Sequence, residues 1–138
     1  MSKLTWKYIH PLSDDGPIAK VEKIFETKLP EDFVRLIKEY NAGYPSMRVF
    51  EAGDSKSRVF SNLLSFDEKH DNNVFSTLIL LREQGVENIL PFAEDPFGNF
   101  IGFLKEAEKL PIVFLELETN KTVYIADSIS FFLEKLHK

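Results

Sequence analysis

The apolar residues of this chain change their period part-way along it, and that change limits the possible fold more than any other feature. Ile18, Val21, Ile24 and Phe25 recur at helical spacing, as do Phe33, Leu36, Ile37 and Tyr40, with charged residues filling the opposite faces. From Ile89 onward the pattern is different. Ile89–Ala93, Phe100–Leu104, Ile112–Leu117 and Thr122–Ala126 are short apolar, β-branched or aromatic runs, each bounded by turn residues. A chain that passes from one period to the other is expected to be α+β, with a mainly antiparallel sheet and flanking helices. Its strands are expected within 46–66, 89–104 and 112–126. With 138 residues and 43% apolar content, one domain over 1–138 can enclose a core without a disulfide or a structural metal.

Helix boundaries are written in the capping chemistry. Ser13-Asp14-Asp15-Gly16-Pro17 starts the first helix, with acidic capping residues and a proline suited to the first turn. Leu29-Pro30-Glu31-Asp32 starts the second, placing two carboxylates where the helix dipole favours them, and Asn41-Ala42-Gly43 stops it. Met47–Phe50 and Arg58–Phe60 read as strands around the turn at Ala52–Ser55, and Asn62–Phe66 as a strand or an ordered loop. Asp67–Asn73 is a surface connection or an extended cap for a helix from Val74 to Gly85. That helix is apolar around most of its circumference and is expected to be more buried than the first two. Pro91 cannot donate to a ladder, so its strand should lie at an edge or start irregularly. Asn120 is the expected left-handed residue of the last hairpin, and Ser128 caps a final helix carrying Phe131, Phe132, Leu133 and Leu136.

The order of these motifs resembles the SUKH superfamily, which includes yeast cell-wall-assembly regulators and bacterial immunity proteins of polymorphic toxin systems. The matching residues are Ile24 and Phe25, Leu29–Phe33, Asn41-Ala42-Gly43, Ile89–Asp95 with Gly98-Asn99, and Ala126–Leu133. Ala42 stands where the superfamily usually has glycine, which is tolerable if the position keeps a negative φ. Ile101–Leu104 is wholly apolar where many relatives carry a polar residue, so a buried strand is expected there. The resemblance implies a non-enzymatic protein-binding domain without a cofactor, an immunity protein that neutralises a cognate toxin domain, often a nuclease. The alternative it admits is a regulatory or scaffold module of a cytoplasmic assembly.

The residues are consistent with binding. Cysteine is absent, which excludes disulfide frameworks, thiolate zinc sites and cysteine nucleophiles. No nucleophile elbow, phosphate loop or dinucleotide fingerprint occurs in the sequence. His10, His70 and His137 fall in far-apart polar segments and read as solvated, so no metal is expected. Glu116 and Glu118 share a strand face and read as solvated charge rather than an acid–base pair. A net charge of −5 favours a basic protein partner over nucleic acid or anionic lipid. The opening residues Met1–Pro11 hold no apolar run of signal-peptide length, and no stretch is long enough to span a membrane, so a cytoplasmic address is expected.

Two acidic turns are the candidate partner-binding elements. In Glu94-Asp95-Pro96-Phe97-Gly98-Asn99 the backbone reading is a tight turn built on Asp95 and Gly98. Turn chemistry does not call for Phe97, however, and a ring at the tip of an acidic loop is recognition material. Glu94, Asp95, Phe97 and Asn99 are therefore the first choice, and Glu51 and Asp54 the second. Trp6 and Tyr44 are read as core residues or as an aromatic rim.

Overall fold

A computed structural model describes residues 4–138; Met1, Ser2 and Lys3, where the stretch read for an export signal begins, lie outside the described residues. The elements in chain order are β1 (Trp6–Lys7), α1 (Gly16–Phe25), α2 (Glu31–Tyr40), β2 (Tyr44–Pro45), β3 (Val49–Glu51), β4 (Ser57–Val59) and β5 (Asn62–Leu63). There follow α3 (Val74–Glu83), β6 (Ile89–Glu94), β7 (Phe100–Leu104), β8 (Ile112–Glu116), β9 (Lys121–Ala126) and α4 (Ile129–Lys135). The domain is α+β, and every strand pairing is antiparallel, as the periodicity predicts.

The main sheet has five strands in the order β5-β6-β7-β8-β9. Of the segment 46–66, only Asn62–Leu63 joins it. β3 and β4 instead form a separate hairpin, and β1 and β2 a second small ribbon that the sequence did not announce. β6 lies between β5 and β7, but β5 pairs only with Ala93 and Glu94, so Pro91 has a strand partner on the β7 side alone, beside the irregularity where the register slips between Pro91 and Ala93.

Phenylalanines organise the core. Phe33 of α2 meets Phe92 and Phe103 of the sheet at ring-centroid distances of 5.0 and 4.9 Å. Phe132 of α4 stacks on Phe60 at 5.5 Å and stands edge-on to Phe50 at 5.2 Å. Such pairs add roughly 0.5–1.5 kcal/mol each beyond the area they bury. Ile101–Phe103 are buried, as expected for an apolar strand. The free edge of β9 is covered: Gly53 donates its N–H to Tyr124 O at 2.7 Å and Lys135 Nζ donates to Ile125 O at 2.8 Å. A Cβ at Gly53 would lie 3.0 Å from the same oxygen, so glycine permits the approach that masks this edge.

Two local expectations change and one holds only narrowly. Ala42 has φ +65, left-handed rather than negative, because the turn out of α2 reverses there and not at Asn41. In α3 four residues, Val74, Thr77, Leu78 and Leu81, are buried against three in each of α1 and α2, while Ile79 is 61% exposed, so its apolar circumference is only partly enclosed. β8 ends at Glu116, so Glu118 lies in the turn and the two do not share a strand face.

Candidate functional site

The β6–β7 connection is built by one side chain. The Asp95 N–H donates to Asn99 O at 3.0 Å, closing a loop over Pro96, Phe97 and Gly98. Gly98 takes φ +87, the left-handed residue with which a three-residue hairpin loop ends. Asp95 Oδ1 accepts from the N–H groups of Phe97 and Asn99 at 2.9 and 2.8 Å, and Oδ2 accepts from Asn99 Nδ2 at 3.0 Å. Asn99 Oδ1 in turn accepts from Leu117 N at 3.0 Å, which ties the loop to the strand beyond. Asp95 is buried, so this predicted contact residue is the loop's internal scaffold. Phe97, held above it, is 81% exposed.

Glu94 is half-buried beside the loop, and Asn72 Nδ2 donates to its Oε1 at a long 3.4 Å. Burial, and secondarily the neighbouring Asp95, raise its carboxyl above the usual range. Next to Phe97 opens a cleft of about 800 Å³, lined also by Arg58, Phe114, Glu116 and Glu118. Arg58 is fixed within it: its guanidinium lies 4.6 Å over the Phe114 ring and pairs with both oxygens of Asp54, at 2.6 and 2.7 Å.

The second acidic turn is arranged differently. Asp54 is engaged by Arg58, which holds its carboxyl far below the ordinary range. Glu51 accepts from Ser57 Oγ and lies 3.0 Å from His137 Nε2, so its carboxyl is lowered and the imidazole raised, chiefly by that shared hydrogen bond. His137 is therefore paired rather than solvated. His10 and His70, far apart in sequence, have ring centroids 4.6 Å apart. Among the described residues no group of three His, Asp or Glu side chains is placed to hold a metal ion.

The sequence model of the SUKH_6 family, described as SMI1-KNR4 cell-wall, matches residues 15–133. The chain belongs to this family. The match runs from Asp15, ahead of α1, to Leu133 in α4, and so takes in α1, α2, α3, the whole five-stranded sheet and most of α4. No curated protein matches the chain. Among the described residues no helix is long and apolar enough to cross a membrane.

Of the six residues chosen from sequence, Glu94, Asp95, Phe97 and Asn99 lie together, with Asp95 and Asn99 acting inside the loop and Phe97 outside it. Glu51 and Asp54 share the β3–β4 hairpin, and each has its own partner. Sequence reasoning missed Arg58, although its place four residues after Asp54 is the spacing of a local ion pair. It also missed Tyr8, which is 74% exposed and, at φ +58, left-handed. Trp6 packs as a core ring, stacked on Tyr40 at 5.6 Å, while Tyr44 stays at the surface.

Proposed function

We propose that this SUKH-family domain is a non-enzymatic, cytoplasmic protein-binding module whose contact element is the β6–β7 loop. The observation that carries the reading is Phe97. A large ring is exposed at the tip of a loop whose backbone and polar side chains are already hydrogen-bonded to one another. A loop fixed in this way loses little conformational entropy on association, so the ring can act as an anchor. The surrounding charge is acidic: Glu116 and Glu118 line the same cleft as the ring, while the nearby Arg58 is neutralised by Asp54. That setting favours a basic partner, steered by charge and then seated on Phe97.

The specific role that fits is an immunity-type inhibitor bound to a toxin domain, often a basic nuclease, covering its active surface. Support for it comes from the superfamily resemblance and from the acidic loop. The matched family's own description, SMI1-KNR4 cell-wall, favours a second reading, a regulatory or scaffold module. Co-expression with the product of the adjacent gene separates the two. A stable one-to-one complex that abolishes that product's toxicity supports immunity. Free toxicity with no complex removes it.

A further inference from the structure

A second recognition element lies on the strap of residues 4–12, across the end of α2. The strap is pinned on both sides of Tyr8, by the β1–β2 register of Lys7 with Tyr44 and by His10 N–H donating to Asn41 O at 2.8 Å. Between these anchors Tyr8 is held at φ +58, a conformation that bulky L-residues avoid and that persists only where the surroundings impose it. What this achieves is a placement: the Tyr8 ring stands perpendicular to Tyr44, with centroids 5.6 Å apart. The two rings wall a cleft of about 560 Å³.

The rim of that cleft is rich in acceptors. Asn62 Nδ2 donates to Leu63 O at 3.1 Å and Asn72 Nδ2 donates to Glu94 Oε1 at 3.4 Å, so each amide commits one N–H to the protein. Asn62 is buried and lines the cleft, and its Oδ1 accepts nothing from the described residues. Asn72 Oδ1 and the Asp71 carboxylate, on the same rim, likewise accept nothing from the described residues. His70 Nδ1 lies 2.6 Å from Ser65 Oγ, which also accepts from Asn41 Nδ2 at 3.1 Å and from Asp67 N at 3.0 Å, so the ring is tied to the wall of the cleft.

We propose that the Tyr8–Tyr44 corner receives a guanidinium group, the arginine side chain of a protein partner. Aromatic faces attract a planar cation, and a guanidinium brings five donors to a rim of unengaged acceptors. A lysine ammonium would use fewer of those acceptors, and a neutral apolar side chain none. Lys7, in register with Tyr44, is the charge that opposes binding. The inference extends the basic-partner reading above to a surface not included in it.

The test uses the whole protein with labelled tyrosine rings and a small probe, Nα-acetylarginine amide, followed by NMR. The expected result is a saturable shift of the Tyr8 and Tyr44 ring signals. The isosteric, uncharged Nα-acetylcitrulline amide should bind at least about fivefold more weakly. Lys7→Gln should tighten the probe and Asp71→Asn weaken it, each by about two- to fivefold. Tyr8→Gly removes the ring and relaxes the backbone, so it should abolish the shift at Tyr44 without lowering the melting temperature. Equal binding of the citrulline analogue, or no saturable shift at either tyrosine, overturns the proposal. Because the probe is not the partner, failure here leaves the Phe97 reading standing, and a Phe97-independent toxin complex leaves this one standing.

Discussion

The two acidic hairpin loops of this domain look alike in sequence and differ in what their carboxylates already hold. In the β3–β4 loop, Asp54 grips Arg58 and Glu51 shares a hydrogen bond with His137. In the β6–β7 loop, the buried carboxylate of Asp95 holds backbone N–H groups, and Glu94 beside it meets only one long amide contact among the described residues. Formal charge therefore says little about which acidic turn can attract a partner. A carboxylate with a cation in its own hairpin is neutralised at short range, whereas one held by neutral donors keeps its charge and its field.

The largest effect expected from breaking this contrast is Asp95→Ala. It removes three hydrogen bonds from a buried carboxylate and leaves two loop N–H groups without their acceptor. A loss of about 2–4 kcal/mol follows, read by chemical denaturation, together with loss of the fixed Phe97 position. A loss below about 1 kcal/mol, with partner affinity retained, would mean the loop is organised by Gly98 and the strands instead.

Phe97→Ala tests the outside of the same loop. Stability should change by no more than about 0.5 kcal/mol, while affinity for the cognate partner falls by about 1–3 kcal/mol, mostly through faster dissociation. Glu94→Lys should act on the other rate, slowing association. Glu94 also gives binding a pH dependence. Its folded carboxyl lies above the ordinary range, so as pH falls it takes up a proton before exposed carboxylates do, and the charge offered to a basic partner is lost. Affinity should fall on mild acidification in the native protein and stay flatter in Glu94→Gln, as measured by calorimetry across pH.

Arg58→Gln converts the first loop toward the second. Asp54 then loses its cation, and its carboxyl should return toward the ordinary range, visible by NMR titration. The melting temperature should drop less than in Asp95→Ala, because the glutamine can still lie against Phe114. If the freed Asp54 now raises the association rate with the basic partner, a bound internal cation is what distinguished the loops.

Much of this architecture could be read from the sequence where local chemistry decides. Ser128 caps α4 by accepting from Phe131 N at 3.2 Å, and Asn73 caps α3 by accepting from Ser76 N at 2.8 Å, the extended-cap reading of that connection. Features made by tertiary docking could not be read. β1 and β2 are two residues each, and their pairing goes with the seating of Trp6 on Tyr40 and Phe60. A helix apolar over most of its circumference, such as α3, gives little sign of which side faces out. The Glu51–His137 pair joins residues 86 positions apart. Ala42 lies between these cases, since the chain has alanine at a left-handed position that glycine would occupy without strain. Ala42→Gly should stabilise the protein by about 0.5–1 kcal/mol, net of glycine's greater freedom in the unfolded chain, measured by thermal melts. No gain would show that the surrounding contacts, not the Cβ, set this turn.

The smallest effect belongs to the C-terminal pairing of the first loop, and its sign is fixed by the two shifts. His137 has a raised folded pKa, so its contribution is complete below the unfolded imidazole value and fades as pH rises through the folded one. Glu51 has a lowered folded pKa, so its contribution is present above the unfolded carboxyl value and fades as pH falls through the folded one. The two conditions overlap between the ordinary carboxylate and imidazole ranges, from about pH 4.5 to 6.5, where the pair is charged on both sides. The backbone there reports the state of the pair, because Val49 and His137 exchange N–H···O bonds at 2.9 Å in both directions. Amide exchange at these two residues, corrected for its intrinsic pH dependence, should be most protected within that window and less protected above neutrality. The window should disappear in Glu51→Gln. Protection that stays flat across the range in the native protein would leave the strand bridge, not the ion pair, as what holds the C-terminus, and Glu51 would then be no more committed than Glu94.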